Sequence, residues 1–247
     1  MTMDNTGYIA LSHQMALQRQ MEVIANNIAN ANTAGYKADE TLFEEFLVQN
    51  GQQGSRSQRE LSFVQDFGVL INFGDGVLEA TGNPYDVGLK GAGFLVAQTP
   101  TGRVYTRGGH LGINDRGQLA TAQGHPILDD ANRPINIDAA LGPFIINGDG
   151  SLVQGDRAPV RFNLVEFANP QQLRRQGGGY FTTTEAERPA TNTRTVQTMV
   201  EGSNVEPILQ LTAMIETSRA YQNSQKLIDT EHELQRKVAE RMPALRS

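Results

Sequence analysis

The sequence predicts an α+β fold, with a helix at each end and an antiparallel all-β region between them. Three observations carry this reading. Glycine is concentrated in the middle: only Gly7 precedes Gly35, none follows Gly202, and 17 of the 25 lie from Gly68 to Gly155. Glycine weakens helices and serves turns and bulges, so the ends can be helical while the middle is rich in turns. Apolar residues at both ends recur at threes, fours and sevens, the spacing of a helix edge that meets another helix. The middle alternates short apolar runs with Gly, Asp and Asn turn residues.

The first helix is predicted over Gly7–Ala34, with Ala10, Leu17, Met21, Ile24, Ile28 and Ala31 along one edge. It would be about 40 Å long at 1.5 Å per residue. Gly35 follows the Asn-rich last turn and suits a helix-ending position. Next comes "ADETLFEEFLVQNGQQGSRSQRELSFVQDFGVLINF", whose apolar arms Leu42–Val48 and Leu61–Phe73 flank a polar tip. A long hairpin is the preferred reading, and a short helix over Leu42–Val48 the alternative.

In the middle, "GFLVAQTPTGRVYTRGG" predicts strands Phe94–Thr99 and Val104–Arg107 around a Pro100-Thr101-Gly102 turn. "GINDRGQLAT", "RPINID", "FIINGDGSLVQ" and "VRFNLVEFANP" continue the pattern, which predicts an antiparallel sandwich or barrel-like region. The second helix is predicted from Pro207, which suits a first turn, with no Gly or Pro before Pro243. Leu211, Met214, Ser218, Tyr221, Gln225 and Ile228 make one stripe on it, and Ala213, Ala220, Leu227 and Leu234 a second. Two stripes suggest more than one partner surface.

Charge sets the function class. With 21 Lys plus Arg against 27 Asp plus Glu and no basic run, nothing resembles a nucleic-acid footprint. Absence of cysteine removes disulfides and thiolate metal sites. No apolar run approaches the roughly 20 residues needed to cross a bilayer, so membrane insertion is not expected. The opening "MTMDNTGYIALSHQMALQRQ" lacks the basic leader, apolar core and cleavage site of a signal peptide. That predicts a cytosolic protein, or one exported without signal cleavage.

The helices themselves are unusually uncharged. Between Asn5 and Ala34 only Arg19 and Glu22 are charged, and from Glu206 to Ile228 only Glu206, Glu216, Arg219 and Lys226. An ordinary surface helix exposes a charged face opposite its apolar stripe. Here Asn26, Asn27, Asn30 and Asn32 stand in "EVIANNIANANTAGYK" although Asn is a poor helix former. Amides and hydroxyls bury at lower cost than charges and can bond across helix contacts, so these ends are expected to pack among neighbours.

"MEVIANNIANANTAGYK" closely resembles the N-terminal signature of flagellar rod and hook proteins, at Asn26–Asn30 and Asn32–Lys37. "GVLEATGNPYDVGLKGAGFLV" and "VYTRGGHLGINDRGQLATAQGHPIL" are similar to its next blocks. "EGSNVEPILQLTAMIETSRAYQNSQKLI" resembles its C-terminal signature, at Ser203-Asn204-Val205, Met214-Ile215 and Arg219-Ala220-Tyr221. The proximal-rod type is the nearest branch and the distal-rod type the next. Leu95 and Leu111 stand where that family commonly has Phe, and Gly88 where Ala is usual.

The resemblance implies a coiled-coil inner domain built from 1–35 and 203–247, an extended hairpin connector over 36–75, and an antiparallel β outer domain over 76–202. It implies a structural subunit of the bacterial flagellar proximal rod, exported by the flagellar type III apparatus without signal cleavage and assembled in the periplasm. The expected partners are copies of itself, proximal and distal rod proteins and neighbouring basal-body components. It would transmit torque from motor to hook and form part of the export channel wall. The expected assembly interface comprises Leu17, Met21, Ile24, Asn26, Asn27, Ile28 and Asn30 on the first helix. On the second it comprises Leu211, Met214, Ile215, Arg219, Tyr221 and Ile228.

No catalytic chemistry stands out. His13, His110, His125 and His232 are scattered without zinc-ligand spacing. Gly91-x-Gly93 lacks the third glycine of a dinucleotide site, and "NGDGS" offers Asp149 alone where a calcium loop needs several carboxylates. No enzyme activity, cofactor or metal is expected. An alternative from another class is a cell-wall-binding β module whose helices oligomerise it.

Overall fold

The computed structural model describes residues 3–49 and 60–241. Helix α1 (Met3–Ala29) leads into strands β1 (Asp39–Gln49) and β2 (Glu60–Ile71). A series of short strands follows between Leu78 and Glu201, and helix α2 (Pro207–Arg241) ends the described chain. The molecule is α+β, and every strand pair with a described register is antiparallel. The chain sorts into two compact units. One holds α1, the hairpin to Leu70 and the chain from Glu206; the other, rich in strands, holds Asn30–Ala38 and Ile71–Val205.

Within the helical unit, α1 packs against α2 and β1, and β1 pairs with β2. The segment Leu42–Val48 is therefore strand and not helix. The polar tip over 50–59 lies outside the described residues. Helix α1 stops at Ala29, five residues before the predicted end. Thr33 N–H bonds the Asn30 carbonyl and Tyr36 N–H the Thr33 carbonyl, closing two successive tight turns instead of another helical turn. Ala31 consequently leaves the predicted helix edge and packs with Tyr36, Ala38 and Val205.

The strand-rich unit is built on a six-stranded sheet in the order Arg174–Gln176, Tyr180–Thr182, Gly102–Thr106, Phe94–Thr99, Leu164–Glu166, Arg188–Pro189. Phe94, Leu95, Val96 and Ala97 are all buried, because both faces of this sheet are covered. A continuous apolar run is the pattern such a strand requires. Alternation divides it between two cores. Leu95 and Ala97 join Val104, Leu119, Ile127 and Phe144, while Phe94 and Val96 join Tyr105, Val165, Phe167 and Phe181. The second core is largely aromatic: Phe94 lies edge-on to Phe73 at 5.9 Å and to Phe181 at 5.8 Å. Burying each such ring contributes about 1.5–3 kcal/mol.

The short strands differ from expectation in detail. The second strand of the central hairpin is Gly102–Thr106, so it starts at the turn glycine and releases Arg107 from the sheet. "RPINID" makes only isolated bridges, Leu128↔Pro134 and Gln118↔Asn136. "NGDGS" is the turn of the Phe144–Ile146 and Ser151–Gln154 hairpin. There Asp149 accepts from the Ser151 hydroxyl and amide and from Arg161, which hold its carboxyl at about 2.

Leu95 and Leu111 are buried in the first core, where they fill positions of the larger ring expected from the resemblance. Gly88 has room for change. A Cβ there would meet the Leu78 Cδ2 methyl at 2.7 Å, a side-chain end that can turn aside. At Gly109 a Cβ would fall 2.1 Å from the Val87 carbonyl oxygen, which is fixed backbone. Gly88→Ala is therefore expected to stay within about 1 kcal/mol of the parent, and Gly109→Ala to lose at least about 2 kcal/mol. Urea unfolding followed by near-UV circular dichroism measures both, and a Gly109→Ala midpoint equal to the parent's would contradict the packing described.

Candidate assembly surface

The two helices run antiparallel. Ser224 Oγ donates to the Ala10 carbonyl at 3.4 Å, Gln14 Nε2 to Gln225 Oε1 at 2.6 Å, and Asn27 Nδ2 to Gln210 Oε1 at 3.4 Å. On α1, Ala10, Leu17 and Ile24 are buried and Met21 and Ile28 half-buried. On α2 the buried residues are Thr217 and Ser224, flanked by half-buried Met214, Tyr221 and Ile228.

This edge of α2 differs from the stripe read from the sequence. Gln210, Thr217 and Ser224 stand at strict sevens, as do Met214, Tyr221 and Ile228. The stripe read from the sequence included Met214, Tyr221, Gln225 and Ile228 but not Gln210, Thr217 and Ser224, which stand one or more residues off its apolar spacing. The heptad spacing itself was the available signal.

The remaining predicted residues go elsewhere. Leu211 and Ile215 point outward at 52% and 54% exposure, beside Ile208 at 79%. Leu209, Leu227 and Leu234 on α2 and Leu11 and Met15 on α1 are exposed too. Arg219 and Asn26 are exposed, while Asn30 is half-buried and accepts from the Thr33 hydroxyl. Asn27, 1% exposed, is occupied within its own unit: Oδ1 accepts from Asp39 N–H at 2.9 Å and Nδ2 donates to the Asp39 carbonyl at 2.8 Å. Its amide thus does for the first residue of β1 what a neighbouring strand would do.

In the strand-rich unit the resemblance-bearing segments meet around three buried charges. Lys37, Arg107 and Glu201 are each no more than 1% exposed. Glu201 Oε1 accepts from Lys37 Nζ at 2.7 Å and from Gly76 N–H at 2.8 Å, and Oε2 from Arg107 Nε at 2.7 Å. Lys37 also donates to the Gly74 carbonyl at 2.6 Å, and Arg107 to the Gly91 and Gly93 carbonyls and to Asp75. Two cations and two carboxylates balance, with nearly every donor used. Burial lowers the Lys37 pKa most, then the nearby Arg107 charge, against the pull of Glu201. Gly35 is required here: at φ 69° it lies so close to Arg107 that a Cβ would fall 2.4 Å from that residue's backbone carbonyl.

Asn204 completes the cluster. Its Oδ1 accepts from Ala38 N–H at 2.7 Å, and Nδ2 donates to the Asn72 and Gly74 carbonyls at 2.8 and 3.1 Å. Among the described residues no three His, Cys, Asp or Glu side chains converge. The polar spot at Tyr180, whose hydroxyl meets Thr121, Gln123 and His125, lies partly buried, and that burial raises its pKa.

Comparison with known proteins accounts for these segments together. The family description "Flagella basal body rod protein" matches residues 8–37, "Flagellar hook protein FlgE/F/G D1 domain" 88–154, and "Flagellar basal body rod FlgEFG protein C-terminal" 196–241. The flagellar basal-body rod protein FlgF of Caulobacter vibrioides is 38% identical over 97% of this chain and 98% of its own length. The chain belongs to the flagellar basal-body rod protein family. FlgF of Mesorhizobium japonicum is 35% identical over 92% of both chains. FlgG of Buchnera aphidicola subsp. Schizaphis graminum is 31% identical over 91% of this chain and 95% of its own.

A structural subunit of the basal-body rod is the function that this membership carries. The three rod-family matches also divide the buried cluster among them: Lys37 lies in the first, Arg107 in the second, Glu201 and Asn204 in the third. Glu201→Gln would leave two buried cations facing a neutral amide, and breaking such a pair costs about 3–5 kcal/mol. A thermal unfolding scan should show the strand-rich unit melting far below the parent; an unchanged transition would contradict the described charges. In the helical unit, Asn27→Leu strands the Asp39 N–H and carbonyl and should cost about 1–3 kcal/mol of helix-unit stability by urea titration at 222 nm. No loss would mean the amide bonds contribute nothing.

Proposed function

We propose that this chain is a proximal-rod subunit of the FlgF type. In this reading α1 and α2 form a coiled coil on the inner side of the rod, along the export channel, and the strand-rich region lies outward. The chain is exported through the flagellar type III apparatus without signal cleavage and assembles in the periplasm with copies of itself, other rod proteins and neighbouring basal-body components. Its work is mechanical: helices packed side by side share the torque that passes from motor to hook.

The observation that supports this most is the aliphatic face that α2 leaves exposed. The inner edge of α2 carries Thr217 and Ser224, while Ile208, Leu211 and Ile215 face out. Each large aliphatic left in water forgoes roughly 1.5–3 kcal/mol of burial, which a neighbouring helix can supply. Exposed apolar surface in an otherwise uncharged segment is the mark of a contact surface.

Ile24 is a poor probe, because it is buried within the pair and a charge there would unfold the monomer. Leu211→Glu combined with Ile215→Glu is the informative variant. In the purified chain it should keep helix content and stability within about 0.5 kcal/mol, since both side chains are already exposed. In cells lacking the native protein it should fail to enter basal bodies and fail to restore swimming. Basal bodies of normal composition carrying this variant would overturn the reading.

A further inference from the structure

The strand-rich unit is entered and left by the chain four times: into it at Asn30, out after Ala38, in again at Ile71 and out after Val205. These passages are far apart in sequence, yet within the unit they are tied at one place. Gly35 N–H bonds the Glu201 carbonyl at 2.7 Å and Asn204 N–H the Tyr36 carbonyl at 3.4 Å, so 35–38 and 201–204 lie side by side. Asn72 N–H bonds the Ala38 carbonyl at 2.8 Å, which adds the third passage. Asn204 then joins Ala38, Asn72 and Gly74 through one side chain. Beneath these bonds sit Lys37 and Glu201, each bonded to the 74–76 segment.

We propose that Lys37, Arg107, Glu201 and Asn204 form a single cooperative clamp that holds three of these four passages, at 35–38, 72–76 and 201–204, in fixed register. None of the three can shift alone. Moving 35–38 away from 201–204 separates Lys37 from Glu201 and leaves the buried carboxylate with only Arg107 and the Gly76 amide; moving 72–76 removes the carbonyl that Lys37 uses and the amide that Glu201 uses. Buried charges are costly without their partners, so the bonds are made together or lost together. A pull on Ala38 and Val205 therefore acts on the clamp before it reaches the sheet strands. The clamp belongs to the single chain and does not rest on the rod reading.

Amide hydrogen exchange by NMR on the full-length chain tests cooperativity directly. Asn204→Ala removes three hydrogen bonds but no charge. It should speed exchange at Ala38, its direct partner, by at least about tenfold. It should also speed Gly35 and Gly76, which bond Glu201 and not the Asn204 side chain, by a similar factor, while amides of Phe94–Thr99 change less than about threefold. Lys37→Met, which removes a donor to Glu201 and leaves the Asn204 side chain intact, should likewise speed exchange at Asn72 as well as at Gly35 and Gly76. Acceleration confined to Ala38 would mean independent contacts, and equal acceleration in the central sheet would mean general destabilisation. Either result overturns the clamp, and neither bears on whether the chain enters the rod.

Discussion

Glu201 is the residue on which the strand-rich unit turns. A carboxylate with no exposure is costly to bury, and it is tolerable here because Lys37, Arg107 and the Gly76 amide all donate to it. Such a cluster gives little net stability over a well-packed apolar one, but it is exacting about geometry. Its members come from positions 37, 107 and 201, so it exists only when the beginning, middle and end of the unit are all in place. Arg107 extends that requirement into the aromatic core, since its guanidinium lies 5.7 Å from the Phe94 ring centre. Arg175 adds a second stacked cation, 4.4 Å from Tyr36, while donating to the Lys37 carbonyl.

The helical unit is held by weaker means. Its described cross-helix hydrogen bonds involve amide and hydroxyl side chains, and its buried α2 positions are Thr217 and Ser224. An amphipathic helix ordinarily turns its aliphatic side inward and its polar side to water. Here α2 places hydroxyls inside and Leu211, Ile215, Leu227 and Leu234 outside. Small polar residues let two helices approach and fix their register without contributing much burial. The contrast between units is physical: one is locked internally by buried charge, the other by a buried apolar edge on α1 and by amides and hydroxyls from α2.

Much of the fold could be read from the chain, for reasons that are local. The glycine distribution and the run Phe94–Ala97 reflect propensity and alternation, and the helices and central hairpin followed from them. The end of α1 did not, because Asn30 to Tyr36 continues an apolar spacing while its backbone is captured by turns and by the Glu201 carbonyl, 160-odd positions away in the chain. The charged cluster was invisible for the same reason: Lys37, Arg107 and Glu201 carry no pattern until the fold brings them together. The aliphatic stripes on α2 were legible as stripes, and Met214, Tyr221 and Ile228 of one of them do flank the buried edge, but its most buried positions, Thr217 and Ser224, carry no apolar signal.

The asparagines show how one residue type can serve both units. Asn alone among short side chains presents a donor and an acceptor in the geometry of a peptide group. Where a chain leaves one unit for another, its backbone loses the neighbouring strand that would satisfy it, and the unmet N–H and C=O are costly if buried. Ala38 and Asp39 are consecutive residues on opposite sides of such a passage. Asn204 receives the amide of Ala38, and Asn27 receives the amide of Asp39 and returns a bond to its carbonyl, each from within its own unit. Aspartate would lose the donor, and lysine or glutamate would bring a charge needing its own partner. This helix therefore accepts the poor propensity of Asn27 because its amide supplies the two backbone bonds that a neighbouring strand would give Asp39.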